Sequence, residues 1–295
     1  MRWRARRARW LAPVLVALVL AGAGCGDGDD GDAPPIGSYV AIGDSYTTGT
    51  GAGPLVDDAG GTACGQVGTS YPRLVAEALG AELTDASCAG ARTSDATGEQ
   101  TTGSGAHWPP QLDRVSKGTD LVTVGLGYND LGFFSQLTVG CAAAAGSDPT
   151  GTPCAERNRA QGVDPGSMAD QVGDHLRDLL DQVHQRAPDA RVLLVGYPQL
   201  VPPEGTCPEL PLAAGDYPYV RERFAHLDDA MRAAASDTGS TFVDVYDASS
   251  GHDICAGAGA WVDGYPASTR AAAYHPFAVE HRAVADLILA EFDQD

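Results

Sequence analysis

Lysine is almost missing from this 295-residue chain: Lys117 is the only one, and Lys and Arg together number 19 against 39 Asp and Glu. Five of those bases, Arg2, Arg4, Arg6, Arg7 and Arg9, stand within the first 24 residues, which hold no acid. Residues 25–295 therefore carry 14 bases against 39 acids, a net charge of −25. A surface of that sign repels phosphate backbones, which excludes nucleic acid as a partner. The apolar run at 10–21 is shorter than the roughly 20 residues a spanning helix needs, so it is not read as a membrane span. There is no C-x-x-C pair and no histidine cluster at zinc spacing, and neither a metal nor another cofactor is expected. No serine sits in G-x-S-x-G, which rules out the usual nucleophile elbow. No internal repeat is evident.

What is present begins with an address. Basic residues up to Arg9, the uncharged apolar run 10–21 and the small residues Gly22, Ala23 and Gly24 describe a signal peptide over 1–24. The stretch 20–25 resembles a bacterial lipobox ending in Cys25, which would then be the first mature residue and a lipid attachment site. Gly22 stands where such a motif has an aliphatic residue, and plain secretion with a nearby cut is the alternative. Residues 25–37 are acidic, rich in glycine and without an apolar face, as a flexible tether would be. The remainder, 38–295, is long enough for one catalytic domain with a substantial core and is expected to act as a monomer.

Six cysteines remain once Cys25 is set aside, and their even number suits an exported protein. Six cysteines can pair in fifteen ways. The simplest is nearest-neighbour pairing, Cys64–Cys88, Cys141–Cys154 and Cys207–Cys255, each bridge closing a Gly/Pro-rich excursion. Five short apolar runs, at 38–43, 82–86, 120–125, 191–196 and 241–246, read as strands. Three are nearly continuous in apolar residues, as strands covered on both faces require. Helical patterns at 71–79, 111–115, 168–186, 217–236 and 275–292 alternate with them. In 168–186 the residues Val172, Leu176, Leu179, Leu180 and Val183 fall on one stripe. Alternating strands and helices predict a three-layer α/β/α sandwich around a five-stranded parallel sheet. Ligands bind such sheets beyond the carboxyl ends of the strands. The stretches 131–167, 198–216 and 248–274 are too long for ordinary connectors and are expected to carry function or need pinning.

Four groups fall on that sheet edge or at a helix start. Ile42-Gly43-Asp44-Ser45-Tyr46 ends the first strand and presents a serine. Cys88-Ala89-Gly90-Ala91 follows the second, and Gly90 can bring its N–H close to a ligand. Gly127-Tyr128-Asn129-Asp130 follows the third and offers an amide. His275-Pro276 stands at the mouth of the last helix. In chain order these are Ser, Gly, Asn and His, and the sequence resembles the SGNH (GDSL) hydrolase superfamily from about Tyr39 to Ile288. It looks closest to the secreted, three-disulfide esterases and lipases of actinobacteria. The resemblance implies a flavodoxin-like SGNH fold, with Ser45 as nucleophile and His275 as general base. It also implies an oxyanion hole made by the Ser45 and Gly90 N–H groups and the Asn129 amide. The chemistry needs these types: a serine hydroxyl is a weak nucleophile until an imidazole takes its proton, and the tetrahedral intermediate needs fixed donors.

One departure stands out. The family pattern D-x-x-H places an acid three residues before the histidine, but here that residue is Ala272. The expectation is a Ser45–His275 dyad whose ring is oriented by the main-chain carbonyl of Ala272, with Asp263 the alternative acid. Asp44 is read as a turn residue and Asp130 as the cap of the following helix. Trp108, Phe133, Phe134 and Trp261 are candidates for an acyl pocket or for plain packing. The implied activity is extracytoplasmic hydrolysis of carboxylic, acyl-lipid esters, with the membrane reached only through an N-terminal lipid anchor. A phospholipase, an acyltransferase, a carbohydrate O-deacetylase or a non-catalytic binding lipoprotein are the alternatives.

Overall fold

The computed structural model describes residues 36–57 and 60–292. The leader 1–24, Cys25 and most of the 25–37 tether lie outside the described residues. Five strands form one parallel sheet: β1 (Ser38–Gly43), β2 (Glu82–Asp85), β3 (Leu121–Gly125), β4 (Arg191–Val195) and β5 (Thr241–Val243), in the order β2–β1–β3–β4–β5. This is the expected α/β/α sandwich with flavodoxin-like strand order.

The sequence explains why both faces are covered. Along β1, Val40 and Ile42 face one helical layer while Tyr39 and Ala41 face the other, and all four are buried. The first layer is α2 (Pro165–Arg186) and α3 (Tyr217–Thr238), which contribute Val172, Leu176, Leu180, Leu227 and Met231. Gly173 lets these helices approach closely, since a Cβ there would lie 3.2 Å from the Ala230 carbonyl oxygen. The second layer is α1 (Tyr71–Leu79) and α4 (Ala278–Ala290), with Val75, Val284 and Ile288 against the sheet. Burying an aliphatic side chain of this kind is worth about 1.5–3 kcal/mol, so the double-sided apolar strands drive the architecture.

Several boundaries differ from the sequence reading, each for a local reason. Helix α2 starts at Pro165 rather than 168, because Asp164 caps it through the Gly166 N–H and proline tolerates the first helical position. Strand β5 stops at Val243 because the Asp244 carboxylate accepts from the Asp247 N–H and opens the turn Val245–Ala248. The last helix begins at Ala278, since the Phe277 N–H is drawn to the Trp261 carbonyl. All three disulfides join nearest neighbours: Cys64–Cys88, Cys141–Cys154 and Cys207–Cys255. The long stretch 131–167 is not irregular. It holds the short helices Cys141–Ala145 and Pro153–Ala160, the second capped from afar by the buried Asp216 carboxylate at 2.8 Å from the Cys154 nitrogen.

The strand order reverses between β1 and β3, where Gly43 lies opposite Gly125. Both glycines are sterically required, because Thr47 folds back across the ends of both strands. A Cβ on Gly43 would lie 2.0 Å from the Thr47 Oγ1, and one on Gly125 would lie 2.5 Å from it. The buried Gln111 side chain closes the same corner, accepting from the Gly43 N–H at 2.8 Å and donating to the Gly43 carbonyl at 3.0 Å. It acts there as a one-residue substitute for a neighbouring strand.

Candidate active site

Ser45 begins a single helical turn, Ser45–Thr48, directly after β1. Asp44 caps that turn, its Oδ1 accepting from the Tyr46 N–H at 2.8 Å, while its Oδ2 accepts from the Tyr197 hydroxyl at 2.7 Å. Burial pushes the Asp44 carboxyl up to about 7, and the bonds from Tyr197 and Tyr46 offset only part of that rise. It is thus the turn residue the sequence suggests. The Ser45 Oγ lies 2.9 Å from the His275 Nε2. These two groups, 230 residues apart in sequence, are the ones the resemblance singles out, and both are half-buried at the sheet's carboxyl edge.

The carbonyl that meets the other ring nitrogen is not that of Ala272. The His275 Nδ1 lies 2.7 Å from the Ala273 oxygen, one residue later than expected. The reason is local. The Ala272 carbonyl already accepts the His275 backbone N–H at 3.0 Å, closing a tight turn. Tyr274, with φ 61°, occupies the left-handed region inside it and leaves the Ala273 carbonyl to face the ring. A carbonyl oxygen can only accept, so Nδ1 carries the proton and Nε2 presents its lone pair to the Ser45 hydroxyl. This is the tautomer a general base requires.

Asp263 is not the missing acid. Its carboxylate accepts from the Gly264 N–H, the Ser268 N–H and the Ser268 hydroxyl at 2.7–2.9 Å and so pins the loop ahead of His275. Its own N–H donates to the His275 carbonyl at 2.9 Å. Replacing Asp263 by Asn is expected to leave kcat within about threefold of wild type while lowering thermal stability by roughly 1 kcal/mol. A loss of several orders of magnitude in kcat, read on folded protein, would return Asp263 to the chemistry.

With no carboxylate behind it, burial holds the His275 imidazole below its ordinary value, and the Ala273 bond offsets part of that depression. The neutral imidazole therefore persists into mildly acidic solution. The expected kcat/KM profile is flat near neutrality and falls as pH drops through the His275 value, with a midpoint below about 6.5. A midpoint well above 7, as a buried carboxylate partner would produce, would contradict a carbonyl-oriented ring.

Gly90 sits in a turn closed by the Ala91 N–H donating to the Cys88 carbonyl at 3.1 Å, and its φ of 79° is one that only glycine adopts freely. The Cys64–Cys88 bridge anchors this turn, and the Ala89 N–H donates to the Cys64 carbonyl. Asn129 is joined to the same turn, its Nδ2 donating to the Ala91 carbonyl at 3.0 Å and retaining a second N–H for other use. Asp130 does not cap the helix that follows it. Its carboxylate instead accepts from the Thr93 N–H at 2.9 Å and from the Thr93 hydroxyl, so it caps the distant helix Thr93–Thr97, and His175 Nδ1 lies 3.0 Å away. The Gly90 and Asn129 segments are thereby locked together.

Of the aromatic candidates, only Phe134 lies beside the dyad, its ring 6.2 Å from that of His275. Phe133 is packed against Phe224, Trp108 lies with the Cys64–Cys88 bridge, and Trp261 stacks on His252. Three contributors escape the sequence reading: Gln111, Tyr197 and Tyr46. Glutamine and tyrosine have no motif here, and only Tyr46 carries a signal, its place next to Ser45.

A serine hydroxyl bonded to an imidazole at the carboxyl edge of a parallel sheet, with the Gly and Asn segments joined beside it, defines a serine hydrolase of the esterase/lipase class. The chain belongs to the GDSL-like lipase/acylhydrolase family, whose family model matches residues 41–283. It is 39% identical to Lipase 2 of Streptomyces coelicolor over 263 residues, covering 86% of this chain and 85% of that one. Among solved structures it is similar to phospholipase A1 from Streptomyces albidoflavus, with TM-score 0.71 and 27% identity over 86% of this chain and 99% of that one. The extracellular lipase from Streptomyces rimosus matches with TM-score 0.70 at the same identity and coverage.

Proposed function

We propose that this protein hydrolyses carboxylic esters of acyl lipids outside the cytoplasm through an acyl-enzyme on Ser45. The observation that carries the reading is the 2.9 Å contact between the Ser45 Oγ and an imidazole whose other nitrogen is committed to a carbonyl. The His275 Nε2 takes the serine proton as Oγ bonds to the ester carbonyl carbon. The carbonyl oxygen gains the negative charge and is received by the Ser45 N–H, the Gly90 N–H and the free Asn129 amide N–H. Collapse expels the alkoxide, which takes the proton from His275 and leaves as an alcohol. Water then repeats the sequence on the acyl-enzyme, releasing the acid and restoring the hydroxyl.

Export is supported by the leader-like 1–24, by three disulfides and by the similarity to an extracellular lipase. Residues 38–295 are read as the catalytic domain, acting as a monomer, with 25–37 as its tether. Cys25 is the proposed lipid anchor. A phospholipid ester is the second reading, favoured by the similarity to a phospholipase A1. Turnover on short-acyl, long-acyl, phospholipid and acetylated-sugar esters tests both. Preference for long-acyl glycerides supports the first, and preference for the phospholipid supports the second. Preference for acetylated sugars would contradict both.

A further inference from the structure

Tyr46 is held at both ends. Its N–H is fixed by the Asp44 carboxylate at 2.8 Å, and its hydroxyl donates to the Tyr274 carbonyl at 2.5 Å. Between those ends its ring meets the edges or faces of Tyr128, Tyr197 and Phe134 at centroid distances of 5.1, 5.2 and 6.0 Å, and it lies 5.4 Å from the His275 ring. The side chain therefore spans from the residue after Ser45 to the residue before His275. The latter, Tyr274, is one of only two non-glycine residues with a left-handed backbone among those described. Such a conformation is uphill for tyrosine and persists only where the surroundings impose it. It is also the conformation that turns the Ala273 carbonyl toward the ring.

From this geometry we infer that the Tyr46 hydroxyl is the positioning group that stands in for the absent carboxylate: it holds the 272–275 turn, and through the Ala273 carbonyl it sets the tautomer and aim of His275. Tyr46 touches no reacting atom, and its role is exerted through His275. Burial keeps the hydroxyl protonated and a donor throughout the working pH range, because its value lies well above that of a free phenol. The carboxylate of a triad orients the ring and also stabilises the imidazolium. The Ala273 carbonyl, fixed because the neutral phenol holds the adjacent Tyr274 carbonyl, orients the ring with no charge of its own, so nothing there reverses the depression that burial imposes on His275.

The inference rests on the Ser45–His275 reading, and the experiment separates the two. Tyr46→Phe keeps the ring and deletes the bond. Tyr39→Phe deletes an equally buried hydroxyl, bonded to Thr123 on the sheet's other face, and serves as the control. On a soluble carboxylic ester, Tyr46→Phe is expected to lower kcat by about 10–100-fold with KM within about twofold. Its acid limb should also move to lower pH, because weakening the Ala273 bond removes what raises the His275 value. Tyr39→Phe should move neither. If Tyr46→Phe proves too unstable to assay, it is combined with Tyr274→Gly, which adopts the left-handed turn without strain. Regained rate in that double variant supports the inference, and no regain overturns it. Wild-type kcat and an unmoved acid limb in Tyr46→Phe, with Ser45→Ala inactive, would overturn the strut and leave the dyad. Activity retained in Ser45→Ala would instead overturn the dyad itself.

Discussion

Ser45→Ala is expected to lower kcat/KM on a simple carboxylic ester by about four to six orders of magnitude, and His275→Ala by a similar factor. The double variant should be scarcely worse than either single one. The two side chains share one hydrogen bond and one proton, so removing either removes the same function. Neither substitution should disturb the fold. Ser45 is anchored by backbone contacts at its turn, where the Gly49 and Thr50 N–H groups both donate to its carbonyl, and among the described residues its Oγ bonds only to His275. The check is steady-state kinetics on variants whose thermal unfolding matches wild type. Additive losses, with the double variant far below both singles, would mean that serine and histidine act in separate steps.

Asn129→Ala carries the second large effect. It is expected to reduce kcat by about 10²–10³-fold with little change in KM, since the proposed role of this amide is to donate to charge that develops only in the transition state. Asn129→Asp should be no better, because a carboxylate has no donor to offer and repels both the developing oxyanion and the Ala91 carbonyl. This pair separates catalysis from scaffolding. Were the amide needed only to hold the Gly90 turn, the loss would appear as lower stability and raised KM. The adjacent Asp130 bonds to Thr93 already lock those segments, so the turn should survive either change.

The parts of this molecule that were legible in sequence are those governed by repeating physical demands. Doubly covered strands require continuous apolar runs, so β1, β3 and β4 could be placed nearly residue for residue. The stripe of α2 belongs to the same category. Ser45, Gly90, Asn129 and His275 were singled out by their chain order, which resembles that of a known family, and the structure adds what the order does not show: the Ser45–His275 contact and the positive φ of Gly90. What escaped depends on single side chains reaching across the fold. Nothing in 241–246 shows that Asp244 ends β5 by bonding Asp247, and nothing in Gln111 shows that its amide pairs with Gly43.

The shift from Ala272 to Ala273 is instructive in the same way. The family resemblance implied a carbonyl three residues before His275. That carbonyl is consumed by the backbone turn, and the left-handed Tyr274 offers the next one instead. Sequence spacing transfers a helix or a strand register well. It transfers an irregular turn poorly, because one residue with positive φ redirects every carbonyl beside it. The excess of acid after residue 24 now has a narrower meaning too. Asp44, Asp130, Asp216 and Asp263, four buried carboxylates, are each committed to backbone N–H groups that shape the site or its loops.

The most direct experiment is stoichiometric labelling with a fluorophosphonate ester, followed by peptide mass spectrometry of the oxidised protein. Attack by Oγ on phosphorus expels fluoride and leaves a stable phosphonyl serine. One adduct per chain is expected, on the peptide containing Ser45, at a rate that falls in acid as His275 becomes protonated and is abolished in His275→Ala. Absence of an adduct on correctly oxidised protein, or an adduct on a serine other than Ser45, would contradict a hydrolase built on this dyad.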